Sequence, residues 1–132
     1  MEPPSIDGLI VLPTKRSVAD VLTKIVSSAH AKGLTVFAKI DFSGDAAKSK
    51  LSMPPSGLVI FGNPVTGTPV MVAAPTAAID LPLKILAFEQ NGHTWVAYND
   101  PKYLQRRHGF PPALVDNLAP IAGLAQAAAK DD

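Results

Sequence analysis

Two strand-like runs, Leu81 to Gln90 and His93 to Asn99, are separated by Asn91-Gly92 alone. That dipeptide favours a type I′ turn, because both residues tolerate positive φ and the turn's twist matches that of antiparallel strands. One antiparallel pair is thereby fixed late in the chain, and the remaining elements must be arranged around it.

Upstream, Ile6 to Pro13 is short, apolar, β-branched and ended by proline, which predicts a strand buried on both sides. Ser17 then offers a hydroxyl N-cap with Asp20 three residues on. Val18, Val21, Leu22, Ile25, Val26 and Ala29 follow at helical spacing, until Gly33 closes the helix as a residue free to take positive φ. From Leu34 to Phe42 the period becomes two, with Leu34, Val36, Ala38, Ile40 and Phe42 on one face and Thr35, Phe37, Lys39 and Asp41 on the other. Ser43 to Ser56 is polar and reads as a loop with one helical turn near Ala46 and Ala47, and a third strand runs from Leu58 to Phe61. After it, Thr68 is the expected cap of a short helix opened by Pro69 and stopped by Pro75. Past the hairpin, Asp100 caps a helix opened by Pro101, and Pro111 to Lys130 is an Ala-rich helical region that Pro120 must interrupt or kink.

The β-α-β-β-β-β-α order, with long helices only near the two ends, predicts an α+β fold in two layers: a mostly antiparallel sheet of about five strands with helices on one face. A single domain over residues 1–132 suits the length. A sheet covered on one face only should alternate apolar with polar residues. Here Leu9 and Val11 oppose Ile10 and Leu12, Leu86 and Phe88 oppose Leu83 and Ile85, and the third strand is apolar on both sides. Only 17% of residues are charged, against about 25% in an average domain. The second face therefore needs a cover, from the short helices, a small ligand or another subunit. A homodimer is the expected one.

Twelve Lys and Arg against eleven Asp and Glu leave a net charge of +1. That is too little to neutralise several phosphates, so no nucleic acid is expected as a partner. The absence of cysteine removes disulfides, thiolate nucleophiles and Cys-ligated zinc. His30, His93 and His108 form no metal-ligand spacing, so no metal is expected either. The motifs of phosphate-cradling and dinucleotide-binding loops are missing after the third and first strands, and no cofactor is expected. No apolar run approaches the roughly 20 residues of a transmembrane helix, and Met1-Glu2-Pro3-Pro4 does not resemble a signal peptide. No membrane partner and a cytoplasmic location follow as expectations.

Candidate chemistry lies in a few places. In Gly62-Asn63-Pro64 through Pro69, the amides and positive dipole end of the expected short helix would hold a phosphate or carboxylate, with Asn63, Gly67 and Thr68 at the site. The same residues also suit a tight strand-to-helix turn. Lys84 is a candidate anion partner pointing off the sheet, while Asp80, four residues earlier, is expected to cap a turn and not to pair with it. Arg106-Arg107-His108-Gly109 ends a helix, where cations meet the negative dipole end. Arg107 would clamp a carboxylate or phosphate, and His108 would act as a base or ligand near neutral pH. Asp41, beside Lys39 on the non-core face of the second strand, is a further acid/base candidate, with a solvated surface pair as the plainer alternative. No Ser-His-Asp arrangement is legible, because the serines fall in loops and caps.

Three motifs follow in order: Ile60-Phe61-Gly62-Asn63-Pro64 with Gly67-Thr68-Pro69; Asp80-Leu81-Pro82-Leu83-Lys84; and Tyr98-Asn99-Asp100-Pro101 followed by Arg107-His108-Gly109. On these the chain resembles, over nearly its whole length, the bacterial domain-of-unknown-function family numbered 302. The resemblance implies a compact domain like the TATA-binding-protein fold, with helices on one side of a curved antiparallel sheet. It implies no particular reaction. Phe42 follows Asp41 where many relatives in that family carry His, which takes away a candidate acid/base or metal ligand, and Lys50 stands where glycine is usual.

The chain is thus expected to be a small noncatalytic, homodimeric domain that binds a small anionic molecule near the Asn63–Thr68 turn, in an apolar pocket with few polar groups. The alternative is an enzyme using Asp41, Lys84 or His108, which requires those groups to converge within hydrogen-bond reach. Nucleic-acid binding, suggested by the saddle-shaped fold alone, ranks last.

Overall fold

The computed structural model describes residues 2–131; residues 1 and 132 of the expected 1–132 domain lie outside them. The hairpin forms as its turn dictates: Asn91 and Gly92 take φ of 54° and 79° and join β4 (Leu83–Gln90) to β5 (His93–Asn99). β4 starts at Leu83, two residues later than expected, because Pro82 has no amide to give to the ladder. With β1 (Leu9–Thr14), β2 (Thr35–Asp41) and β3 (Ser56–Gly62) these strands make one sheet in the order β1-β5-β4-β3-β2, every neighbouring pair antiparallel.

The edge strands β1 and β2 are consecutive in sequence, so the chain must cross the whole sheet between them. α1 (Val18–Ala31) makes that crossing. Ser17 caps it by accepting from the Asp20 amide, and Gly33 follows it at φ 73°. α5 (Pro120–Ala129) packs beside α1, and the main core lies between this helical layer and the strands. Val21, Ile25 and Leu124 meet Val59, Phe61, Ile85 and Val96 there. The fold is therefore α+β, as expected. A second cluster, built around Val70, Leu104, Phe110 and Leu118, joins α3 (Pro64–Ala73), α4 (Pro101–His108) and the 3-10 segments Pro75–Ile79 and Pro112–Asn117. Leu83 packs against both clusters.

Three local expectations are corrected. The helix after β3 is capped by Asn63, not Thr68; Asn63 Oδ1 accepts from the Val65 amide, Pro64 takes the first turn, and Pro69 lies inside the helix. The expected loop after Phe42 opens with α2 (Phe42–Lys48), seven residues long, because the Asp41 carboxylate caps it at the Gly44 amide. Beyond that helix Lys50 sits at φ 62°, in the left-handed region that favours glycine. The third correction concerns β2. Its register slips between Val36 and Ala38, so Val36 opposes Phe61 on the helical face while Ala38 and Ile40 oppose Ile60 and Leu58 on the other. A bulge residue exchanges the two faces of a strand, which leaves Phe37 53% exposed and places Lys39 and Asp41 opposite Val59 and Gly57.

Candidate functional site

At the end of β3 the chain turns sharply: Asn63 keeps an extended backbone at φ −134°, and Pro64 starts the helix. The donors of this turn are already engaged. Pro64 has no amide proton, Val65 donates to Asn63 Oδ1, and Thr66 and Gly67 both donate to the Asn63 carbonyl at 3.1 and 2.9 Å. The amides on which anion capture would depend are thus satisfied within the chain.

Behind the turn lies a cavity of about 160 Å³. Asn63, Thr66, Gly67, Thr68 and Met71 form one wall; Leu81, Pro82 and Leu83 form a second, across a cis Leu81–Pro82 bond. Phe37, Gly62, Asn117 and Leu118 complete it. Asn117 ties the walls together, its Nδ2 donating to the Thr66 carbonyl at 3.0 Å. Of the candidate residues, Asn63, Gly67 and Thr68 line this cavity, and Lys84, Arg107, His108 and Asp41 do not. Phe37, Asn117 and Leu118 escaped sequence reasoning, since each comes from another segment, and Met71, in the same helix as Gly67 and Thr68, carries no polar group to single it out; only Phe37, aromatic among polar neighbours on its strand face, left a signal.

Arg107 and His108 converge instead on Asp80. Arg107 Nη1 donates to Asp80 Oδ2 at 2.9 Å, and the same oxygen lies 2.5 Å from His108 Nε2. The other ring nitrogen, Nδ1, is 2.9 Å from the Thr76 hydroxyl. His108 thus bridges the two ends of one 3-10 segment from the last residue of α4, with its side chain 5% exposed. Asp80 ends the 3-10 segment, its amide donating to the Ala77 carbonyl at 3.0 Å, so it caps a turn as expected while its carboxylate accepts these two side-chain donors. Lys84 Nζ donates to the Pro82 carbonyl at 2.9 Å. Burial pushes the Lys84 ammonium below its usual pKa, and the charge of Asp80 partly offsets this.

Asp41 stands apart. It pairs with Gly57, at the opposite end of β2 from the Thr35–Gly62 pair next to the turn, which puts it about 20 Å away along the strand. The Gly44 amide and then the Ser43 hydroxyl hold its carboxyl below the usual value. His30 and His93 are exposed. Among the described residues no group of three or more His, Cys, Asp or Glu could hold a metal ion.

A crystal structure of an uncharacterized conserved protein DUF302 from Bacillus stearothermophilus superposes with a TM-score of 0.74, covering 94% of this chain and 97% of that one at 18% identity, which shows the shared fold. Proteins named fluoride-specific ion channel FluC 1 from Brucella suis and Brucella abortus are each 37% identical over 104 residues, or 78% of this chain. The match spans only 41% and 38% of those proteins. The family described as "Domain of unknown function DUF302" matches residues 10–128, and with its sheet, crossover helix and turn motifs in place the chain belongs to that family.

Proposed function

We propose that the chain is a noncatalytic ligand-binding module whose site is the cavity behind the Asn63–Thr68 turn. The cavity itself carries the reading: about 160 Å³, walled largely by apolar side chains such as Met71, Leu81, Leu83 and Leu118. An apolar cavity of about 150 Å³ holds benzene, so the volume suits one aromatic ring or a short aliphatic chain. Thr68 and Asn117, at the wall, would orient a polar substituent. An anionic ligand finds less support. No Lys or Arg lines the cavity, and the turn's amides are engaged. We therefore assign a small, mainly apolar molecule in place of the anion.

In the Brucella proteins a segment similar to this chain is part of a longer protein named for fluoride conduction. By that analogy the module would work beside a membrane protein as its ligand-responsive part. No helix among the described residues is long and apolar enough to cross a membrane, so a helical pore would have to come from elsewhere in such a protein.

Thermal unfolding with phenol, toluene and sodium fluoride tests the assignment. Phenol or toluene should raise the melting temperature with dose, by the equivalent of about 2.7 kcal/mol at a hundredfold excess over Kd, and fluoride should not. A Cβ at Gly67 meets nothing within 4 Å, so Gly67→Met should fill the cavity mouth, keep the fold and abolish the protection. Absence of protection by either aromatic would count against the cavity as a site.

The Thr76–His108–Asp80 chain is the observation that favours an enzyme, because a hydroxyl and a carboxylate on opposite ring nitrogens resemble a base relay. Its residues do not line the Asn63–Thr68 cavity. Hydrolysis of p-nitrophenyl acetate that is lost in both Thr76→Val and His108→Ala would favour that reading over ours.

A further inference from the structure

We propose that Phe37 is the specificity-determining residue of the Asn63–Thr68 cavity, and that through its ring the site takes planar aromatic molecules in preference to aliphatic ones of like size. The inference rests on that cavity being a ligand site. The irregularity in β2 is what brings Phe37 there. Val36 pairs with Phe61 and Ala38 with the next residue of β3, Ile60, so Phe37 is the extra residue of a bulge on an edge strand. Bulges re-aim side chains and recur beside functional sites, and this one sets a phenyl ring in the cavity wall. The ring is still 53% exposed. Core packing does not account for it: Phe37 belongs to neither apolar cluster of the described residues, and a phenyl stabilises a fold by being buried.

The surroundings of the ring favour an aromatic ligand. A Cβ on Gly62 would lie 3.7 Å from Phe37 Cε2 and 3.4 Å from Pro82 Cβ. Ring and pyrrolidine therefore border the same buried glycine, whose lack of a side chain leaves the space beside them open. A planar ligand there would meet the Phe37 ring, and aromatic pairs in offset or edge-to-face arrangement gain more than their buried area alone supplies. Met71, from the helical wall, adds a polarisable thioether, whose contacts with aromatic rings are favourable. Phe37 is the one aromatic side chain among the described lining residues, so this preference depends on it. With Pro64 and Thr68 it stands at the exposed rim, while Leu118 is buried. A hydroxyl on the ligand's ring would be oriented by Thr68 at the same rim.

Isothermal titration calorimetry of the full chain with phenol and with cyclohexanol is the test, with far-UV circular dichroism to confirm that each variant folds. The wild type should bind phenol more tightly than cyclohexanol. Phe37→Leu keeps an apolar side chain and removes the π face; it should weaken phenol by about three- to tenfold and leave cyclohexanol within about twofold. Phe37→Tyr should retain the phenol affinity. Should Phe37→Leu fail to fold, nuclear Overhauser contacts between the phenol ring and the Phe37 ring in the wild type decide instead, and they should be present. A wild type without preference for phenol, an unchanged phenol affinity or an equal loss for both alcohols in Phe37→Leu, or missing ring contacts overturns the role of Phe37 and leaves the cavity as a site. Binding of neither alcohol overturns the cavity reading and this inference with it.

Discussion

His108 is where a single side chain decides most. Its ring joins Thr76 to Asp80 from the end of α4, and Arg107 adds an ion pair whose side chain is 51% exposed. Removing the enclosed ring leaves a hydroxyl and a carboxylate without their shared partner, whereas removing a solvated guanidinium costs little. Urea unfolding should therefore show His108→Ala less stable by about 1–3 kcal/mol and Arg107→Ala by less than about 1 kcal/mol. Lys84 acts through burial. Its folded pKa lies below the unfolded 10.5, so between the two values the unfolded chain binds more protons and stability rises with pH. The cost of the buried charge is fully present at neutral pH and is relieved as pH climbs through that window. Lys84→Met should flatten the rise, measured as unfolding midpoints at neutral and alkaline pH; a slope unchanged in the variant would show that another group supplies it.

At the scale of elements, local structure is legible in the sequence wherever one residue suffices. Ser17 and Asp100 cap their helices, Gly33 and Gly109 take φ of 73° and 75°, and Asn91-Gly92 turns the hairpin. The sequence is ambiguous where two neighbours can do the same job. Asn63-Pro64 and Thr68-Pro69 are both a capping residue followed by proline; the first wins because the chain must turn as soon as β3 ends, and a short helix tolerates the bond lost at Pro69. The β2 bulge was illegible because alternation continues through it, and only pairing with β3 shows the exchange of faces. Close packing between layers also has a residue to answer for it. A Cβ on Gly57 would collide with Leu22 Cδ1 and lie 3.1 Å from the Ile40 carbonyl oxygen. Gly57→Ala should accordingly destabilise by about 1–3 kcal/mol; calorimetry showing an unchanged melting temperature would mean that the Leu22 methyl swings aside at no cost.

For the whole molecule, the sequence revealed one wall of the cavity and not the others. Asn63, Gly67 and Thr68 are adjacent in the chain, whereas Asn117 reaches Thr66 across 51 residues and Phe37 arrives from an edge strand. Such convergence depends on the order β1-β5-β4-β3-β2, which strand patterns alone do not specify. It also explains why Lys84, Arg107 and His108 were grouped with the turn on chemistry and yet stand at Asp80 or the Pro82 carbonyl. The most direct test is a phenol titration followed by amide chemical shifts. Shifts should saturate and concentrate at Gly62, Gly67, Thr68, Met71 and Asn117, and vanish in Gly67→Met. Saturable shifts centred on Thr76, Asp80 and His108, or none at the cavity residues, would contradict a ligand site behind the turn.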